Sequence, residues 1–318
     1  MVHPLAGPAH RALAGVSASS PCDYARVACH PGRGAVTQRA PPCASGALLG
    51  DTPSRDYSSK LRLFNAFAEP ELRQAIGALN LAPGMRVLDA GCGTGEALSW
   101  LHELIAPNGA VVGVDLSAAH LGAACRHLGP GVTILQADLV EAPLTPQSFD
   151  LIWCVNTIHH LRDPLQGVKR LASLLRPGGR IALGQSSFLP DMYFAWDARL
   201  ERLTNEAVRS YYRERYGLDE SDLTAVRAML GLLHRAFLRH VSIRTIVIER
   251  TAPLGPSDRA YLLEAIFRQT WGERLRPYLS PADYAELSAL CNPEHSQFAL
   301  RRADFHFLQT FTLGVAEI

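Results

Sequence analysis

Between residues 86 and 185, short apolar runs alternate with segments in which apolar residues recur at helical spacing. The short runs are predicted as strands, because they are rich in valine, leucine and isoleucine and end at turn residues. These strands cover residues 86–89, 110–115, 132–136, 149–156 and 180–185. Strands that alternate with helices predict βαβ units and a parallel sheet that is buried on both faces.

The pattern changes after residue 190. Two more strands are predicted at 241–250 and 305–315, and helices at 257–275 and 281–291. Ser280 followed by Pro281 is a typical helix start. We interpret residues 51–318 as one α/β domain that carries helical insertions at about 191–240 and 251–304.

Residues 1–50 show no helical or strand period and are rich in alanine, glycine and proline. The segment is predicted to be a disordered extension. A transit peptide would also be rich in arginine, but the prolines would break its amphipathic helix. Cys22, Cys29, His30 and Cys43 lack the paired C-x2-C spacing of zinc fingers, so no metal site is predicted.

Composition narrows the class of protein. The chain has 318 residues, of which 47% are hydrophobic and 19% charged, as in ordinary globular proteins. Its formal net charge of +1 lacks the basic excess of most nucleic-acid-binding proteins, which is weak evidence against such a partner. No run of 18 apolar residues predicts a membrane helix, and seven scattered cysteines suggest no disulfide framework, so we expect a cytoplasmic location.

A strand that ends at Asp89 leads into a Gly-x-Gly-x-Gly turn over residues 91–95, and the turn opens a helix. Glycines there let the backbone turn sharply and approach a ligand. A dinucleotide fingerprint needs Gly-x-Gly-x-x-Gly, but Glu96 occupies the third position and its charge would repel a pyrophosphate. The turn therefore favours a cationic sulfonium ligand with an amino-acid tail over a nicotinamide cofactor. Asp115 ends the next strand, where a carboxylate can accept both ribose hydroxyls.

Residues 57–188 resemble the core of class I S-adenosylmethionine-dependent methyltransferases, in the small-molecule branch called type 11. The resemblance is carried by four blocks in order, VLDAGCGTG, VVGVDLS, LQADLVEAPLTPQSFDLIWCVNTIHHL and LLRPGGRIAL. It implies a Rossmann-like seven-stranded sheet of order 3-2-1-4-5-7-6, with strand 7 antiparallel and helical lid insertions. It also implies S-adenosylmethionine as the cofactor and methylation of a small molecule.

The resemblance further assigns cofactor contacts. Around the methionine part it places Asp89, Gly91, Gly93, Gly95 and Asn156. Asp89 would orient the ammonium group, and Asn156 ends strand 4.

The nucleoside part has its own implied contacts. Asp115 would bind the ribose, with Leu116 beside the adenine. Asp138 and Leu139 would meet the adenine edge.

His159 and His160 follow strand 4, at the mouth of the expected site. A histidine there could remove a proton from the acceptor, since its pKa lies near neutrality. The alternative is that one histidine begins a helix or packs. Tyr193, Phe194 and Trp196 follow strand 5 and are candidates for a substrate lid, although aromatic residues at helical spacing more often belong to a core.

Two alternative functions stay open at this point. A nucleic-acid methyltransferase usually carries two prolines after strand 4, whereas this chain has Asn156-Thr157-Ile158-His159. A protein that binds the cofactor without methyl transfer would show the same acids and glycines. The sequence leaves open the acceptor molecule, its acceptor atom (oxygen, nitrogen or carbon) and the oligomeric state.

Overall fold

A computed structural model describes residues 25–30, 33–37, 56–187, 193–194, 197–216 and 225–318. Its strands are β1 (Ala25–His30), β2 (Arg33–Thr37), β3 (Arg86–Ala90), β4 (Ala110–Asp115), β5 (Val132–Gln136), β6 (Phe149–Val155), β7 (Leu175–Ser186), β8 (Tyr193–Phe194), β9 (Arg239–Thr251) and β10 (His306–Glu317). Its α-helices are α1 (Ser58–Gly77), α2 (Glu96–Ile105), α3 (Ala118–Ala124), α4 (Pro164–Ala172), α5 (Ala198–Tyr216), α6 (Ala225–Arg235), α7 (Pro256–Ala260) and α8 (Pro281–Cys291).

The strands form one sheet in the order β2-β1-β5-β4-β3-β6-β7-β10-β8, and β9 pairs with β10. Strands β5, β4, β3, β6 and β7 are mutually parallel, whereas β10 is antiparallel to both β7 and β9. Counting only the seven strands from β3 to β10 without β8, the order is 3-2-1-4-5-7-6. The predicted topology and the antiparallel seventh strand are confirmed.

Strands β1 and β2 lie inside the segment that the sequence predicts to be disordered. They form an antiparallel hairpin, and β1 adds to the free edge of β5 through Val27 opposite Ile134. An edge strand offers unpaired N–H and C=O groups, so it can pair a segment whose own sequence shows no strand period. The other residues of 1–50 lie outside the described part, and for them disorder stays a prediction.

The first predicted insertion, at 191–240, is not uniformly helical. Tyr193 and Phe194 form β8, which pairs with β10 at Leu308 and Phe307, and helices α5 and α6 follow. Strand β10 extends past its pairing with β7, which ends at Ser186, so its backbone there offers partners to a returning chain. Local spacing carries no sign of such a non-local pairing.

The second insertion is helical but irregular. Residues predicted as one helix over 257–275 form α7, then a π-helix over Tyr261–Trp271 and a 3₁₀ helix over Glu273–Tyr278. The wide turn is visible at its end, where the N–H of Gly272 donates to the carbonyl of Phe267 at 2.8 Å. Helix α8 begins as predicted, since Ser280 Oγ accepts the N–H of Asp283 at 3.2 Å.

Two apolar clusters sandwich the sheet. On one face α1, α2 and the π-helix pack with Trp153, and there the Phe67 and Tyr261 rings stack with centroids 4.3 Å apart. On the other face α4 and α6 pack on Leu88 and Ile152. Both faces are thus covered, which leaves the carboxyl edge of the parallel strands as the place for a ligand. No helix in the described ranges is long and apolar enough to cross a membrane.

Arg250 of β9 forms ion pairs with side chains of α1 and α7. From β9 its guanidinium donates to Glu71 of α1 at 2.7 Å and to Asp258 of α7 at 2.9 Å, and it lies 4.7 Å from the centre of the Phe67 ring. Its side chain is 15% exposed. We expect Arg250→Met to lower the free energy of unfolding by about 2–4 kcal/mol, because both carboxylates lose their partner in a mostly buried place.

Denaturant titration would measure the effect of this substitution. Arg276→Met is the matched control, because the Arg276 side chain is 69% exposed. Its guanidinium lies 3.4 Å from a carboxylate oxygen of Glu273, which is a longer distance than in the Arg250 pairs. The control should change stability by less than about 0.5 kcal/mol. Equal losses in the two variants would contradict the role given to Arg250.

Candidate active site

Asp89 is the next-to-last residue of β3 and lies inside the sheet. Its side chain is buried, with 3% of the residue exposed, and its Oδ2 atom accepts no hydrogen bond from the described residues. Burial, and then the neighbouring carboxylates of Asp115 and Glu96, raise the pKa of the Asp89 carboxyl well above its usual value. A cationic group beside Oδ2 would satisfy the atom and offset this cost. The site therefore fits a ligand that carries an ammonium or sulfonium group.

The glycine turn has left-handed backbone at all three glycines, with φ of +84° at Gly91, +51° at Gly93 and +87° at Gly95. A Cβ on Gly91 would lie 2.1 Å from Thr157 Oγ1, so this glycine is needed for the approach of the loop after β6. A Cβ on Gly95 would lie 2.9 Å from that of Ala124 in α3. Two of the three glycines thus allow close packing of protein against protein, in addition to any approach to a cofactor.

Asp115 ends β4 and holds the glycine turn from the side. Its Oδ2 accepts the N–H of Gly93 at 2.9 Å, and its Oδ1 accepts the N–H of Ser117 at 2.8 Å. His120 Nδ1 lies 3.3 Å from Oδ1. A carboxylate has about four acceptor positions, so three donors leave little free capacity for a ribose.

His120 is a site residue that the sequence analysis missed. Its Nε2 accepts the N–H of Tyr57 at 3.2 Å, so Nδ1 carries the proton and donates to Asp115. The only sequence signal was its place in the first turn of a helix capped by Ser117, whose Oγ accepts the N–H of His120 at 3.3 Å. The contact with Tyr57 lies 63 positions away along the chain, beyond any local pattern.

Helix α1 covers the glycine turn. Leu61 Cδ1 would lie 3.1 Å from a Cβ on Gly93, and Asn65 Nδ2 donates to Glu96 Oε2 at 2.7 Å. Glu96 also accepts the Thr94 hydroxyl at 2.6 Å. Together with the contact of Tyr57 with His120, these contacts place the first turns of α1 against the glycine turn.

The residues implied to meet the adenine lie on two loops after β4 and β5. Leu116 is half-buried, and its carbonyl accepts Gln136 Nε2 at 3.3 Å. Asp138 is half-buried and uses Oδ1 to accept the N–H of Val140 at 2.9 Å. Leu139 is buried in the apolar cluster of the sheet. An adenine role for these residues stays a prediction.

Asn156 directly follows β6 and has left-handed backbone, at φ +52°. Its Oδ1 accepts the N–H of Ser186 at 2.8 Å, and its Nδ2 donates to the Ser186 hydroxyl at 3.2 Å. The amide thus binds the end of β7 and fixes the spacing of two strand ends. This structural role was not assigned from the sequence, and its implied contact with methionine stays a prediction.

His159 and His160 lie in a 3₁₀ turn after β6, with ring centroids 3.9 Å apart. His159 Nδ1 lies 2.8 Å from Gln185 Oε1. Burial lowers the pKa of His159 to about 4, and the bond to Gln185 opposes the shift. Burial, and then the positive charge that His159 and His120 can carry, lower the pKa of His160 well below its usual value. Both rings are therefore neutral near pH 7 and able to accept a proton.

The lid candidates are only partly covered by the structure. The backbone of Tyr193 and Phe194 forms β8 beside β10, near the carboxyl end of β7. Trp196 lies outside the described residues, as do Cys22 and Cys43. In the described parts of the chain, no group of three or more His, Cys, Asp or Glu side chains could hold a metal ion.

Comparison with known proteins agrees with this geometry. Residues 87–179 match the model of a family described as a methyltransferase domain. The 27-O-demethylrifamycin SV methyltransferase of Amycolatopsis mediterranei is 34% identical over 36% of this chain and 43% of its own length. A ubiquinone biosynthesis O-methyltransferase of Aeromonas salmonicida is 30% identical over 48% of this chain and 64% of its own length. The chain thus spans less than two thirds of each of these relatives.

A solved structure shows the same fold. It is described as a putative type II methyltransferase from Anaeromyxobacter dehalogenans, with 18% identity and a TM-score of 0.51, and it is matched over 77% of this chain and 94% of its own. Residues 87–179 thus match a methyltransferase domain, and the solved structure has the same fold. S-adenosylmethionine fits this site, because Oδ2 of the buried Asp89 carboxylate, which accepts no hydrogen bond from the described residues, suits the cationic groups of that molecule.

Proposed function

We propose that this chain transfers a methyl group from S-adenosylmethionine to a hydroxyl oxygen of a small molecule. One observation carries the proposal. Asp89 is the next-to-last residue of β3 and has a buried carboxylate that suits a cationic partner, and the neutral His159 follows the neighbouring strand β6 at the same sheet edge. The first supports binding of the cofactor, and the second supports removal of a proton from the acceptor.

When bound, S-adenosylmethionine supplies an electrophilic methyl carbon on a sulfur that leaves as a neutral thioether. Asp89 orients the ammonium group, and Asp115 binds the ribose with its remaining acceptor capacity. Helix α1 excludes water over the glycine turn through Leu61 and Asn65. Such a reaction mainly needs the reactants held in line and dry, so few catalytic groups suffice.

A hydroxyl acceptor is supported by two considerations. The printed names of both relatives specify methylation at oxygen. A hydroxyl also loses its proton on methylation, which gives the neutral His159 a role. The net charge of +1 and the absence of two prolines after Asn156 make a nucleic-acid acceptor the weaker candidate.

A two-stage experiment tests the proposal. Calorimetry should first show S-adenosylmethionine binding to the full chain, with Asp89→Asn as an isosteric variant that loses it. A coupled assay of released S-adenosylhomocysteine should then show turnover with members of a panel of phenols and alcohols. Binding without turnover on any acceptor would indicate a non-catalytic binding protein. Turnover on amines or RNA alone would overturn the hydroxyl assignment.

A further inference from the structure

Gln185 faces the candidate base from the neighbouring strand. It lies near the end of β7, opposite Thr312 of β10. The residues on both sides of it bind Asn156, since the Asn156 N–H donates to the Gly184 carbonyl at 2.9 Å and Asn156 Oδ1 accepts the Ser186 N–H. The position of Gln185 relative to the 3₁₀ turn is therefore fixed by backbone contacts.

The side-chain amide of Gln185 has one orientation. Its Nε2 donates to the carbonyl of Ser186 at 3.3 Å, and its Oε1 lies 2.8 Å from His159 Nδ1. The reverse orientation would set Oε1 against the Ser186 carbonyl. Because a carbonyl oxygen only accepts, His159 Nδ1 must carry the hydrogen, and Nε2 of the neutral ring keeps its lone pair.

His160 lacks such a partner. In the parts of the chain that are described, no hydrogen bond fixes its ring, which contacts the His159 ring at 3.9 Å between centroids. Among the described groups, His120 of α3 also acts on the pKa of His160, and His120 itself donates to the Asp115 carboxylate. His159 is thus the histidine of the pair whose tautomer is set by a neighbour.

From these contacts we propose that Gln185 is a positioning residue that makes His159, rather than His160, the general base by presenting its Nε2 lone pair. The inference rests on the proposed function. As the acceptor oxygen bonds to the methyl carbon and the bond between that carbon and sulfur breaks, the hydroxyl proton would pass to Nε2 of His159, and the positive charge lost by sulfur would appear on the imidazolium. Solvent then removes the proton and restores the neutral ring.

An amide suits this task for a physical reason. A carboxylate at position 185 would also orient the ring, but it would stabilise the imidazolium and keep the base protonated to higher pH. The amide orients the ring without a charge. Gln185→Glu should therefore raise the pKa of His159, while Gln185→Leu should remove the orientation and leave the charge balance unchanged.

Nitrogen NMR of the imidazole rings tests the proposal without any turnover. In the wild-type protein at pH 7 the His159 signals should show a protonated Nδ1 and an unprotonated Nε2. Gln185→Glu should raise the pKa of His159 by about one unit or more. Gln136→Glu is the matched control, because Gln136 ends β5 at the same sheet edge and its Nε2 donates to Leu116 rather than to a histidine. It should leave the His159 signals unchanged.

Activity adds a second readout. Gln185→Leu should lower kcat by about tenfold to a hundredfold with little change in KM, and Gln185→Glu should move the acidic limb of the pH profile upward. A wild-type His159 with its proton on Nε2, or an unchanged pKa in Gln185→Glu, would overturn the proposal. Wild-type protein that shows the expected tautomer but methylates no acceptor would overturn the proposed function and, with it, the role of Gln185 in catalysis.

Discussion

Replacing His159 with alanine is expected to lower kcat by about 10²–10⁴-fold while the affinity for S-adenosylmethionine stays within about twofold. The substitution removes the Nε2 lone pair that would take the acceptor proton. It leaves the contacts of Asp89 and Asp115 in place, because His159 bonds to Gln185 and not to them. Steady-state kinetics and calorimetry on the same preparation would measure both quantities.

The pKa of His159 predicts the direction in which the rate changes with pH. The base works in its neutral form, and the pKa of His159 is lowered to about 4. The wild-type rate should therefore be lost only as pH falls through about 4 and should be nearly flat around neutrality. A histidine with the ordinary pKa of about 6.5 would put that limb close to neutral pH.

His160→Ala is the matched control. His160 shares the 3₁₀ turn and the burial of His159 but lacks the bond to Gln185. We expect its kcat to fall less than tenfold. Equal losses in the two variants would contradict the assignment of the base to His159. Near-wild-type rates in both would remove the histidines from the mechanism and leave positioning as the main catalytic device.

The parallel part of the sheet could be predicted because its strands are marked by local pattern. Runs such as 110–115 are apolar, short and closed by turn residues, and the resemblance supplied the strand order. β8 and the π-helix over Tyr261–Trp271 could not be predicted in this way. β8 is defined by its pairing with β10, which lies more than 100 residues further along the chain, and the π-helix has the same apolar residues that an α-helix would show.

The candidate site also contains residues that local sequence predicts and contacts that it does not predict. Asp89, the glycines and Asp115 stand out because strand ends and turns constrain the residue types allowed there. The contacts that orient the histidines of the site cannot be seen in the sequence. His120 contacts Tyr57, and His159 contacts Gln185, and each contact joins two different elements. A sequence shows which residues can do chemistry, whereas the tautomer of a histidine depends on a neighbour that only the fold brings near.

Asp115→Ala is expected to weaken S-adenosylmethionine binding by more than about tenfold, since a hydrogen bond to a charged group contributes roughly 1.5–3 kcal/mol. The substitution has a second effect. Asp115 also accepts from Gly93, Ser117 and His120, and these donors would lose their acceptor. The melting temperature of the ligand-free protein should therefore fall as well, and both quantities must be measured.

Two further measurements separate binding from stability. Asp56→Ala is the control, because Asp56 is exposed and accepts the N–H of Ser58 at 2.8 Å, at the start of the same covering helix. It should leave cofactor affinity within about twofold. Competition with adenosine then measures the binding of the nucleoside part alone. Asp115→Ala should weaken the binding of adenosine by the same factor as the binding of S-adenosylmethionine. A folded Asp115→Ala protein with unchanged affinity would refute the ribose contact, and Asp115 would then act only by holding the glycine turn against α3.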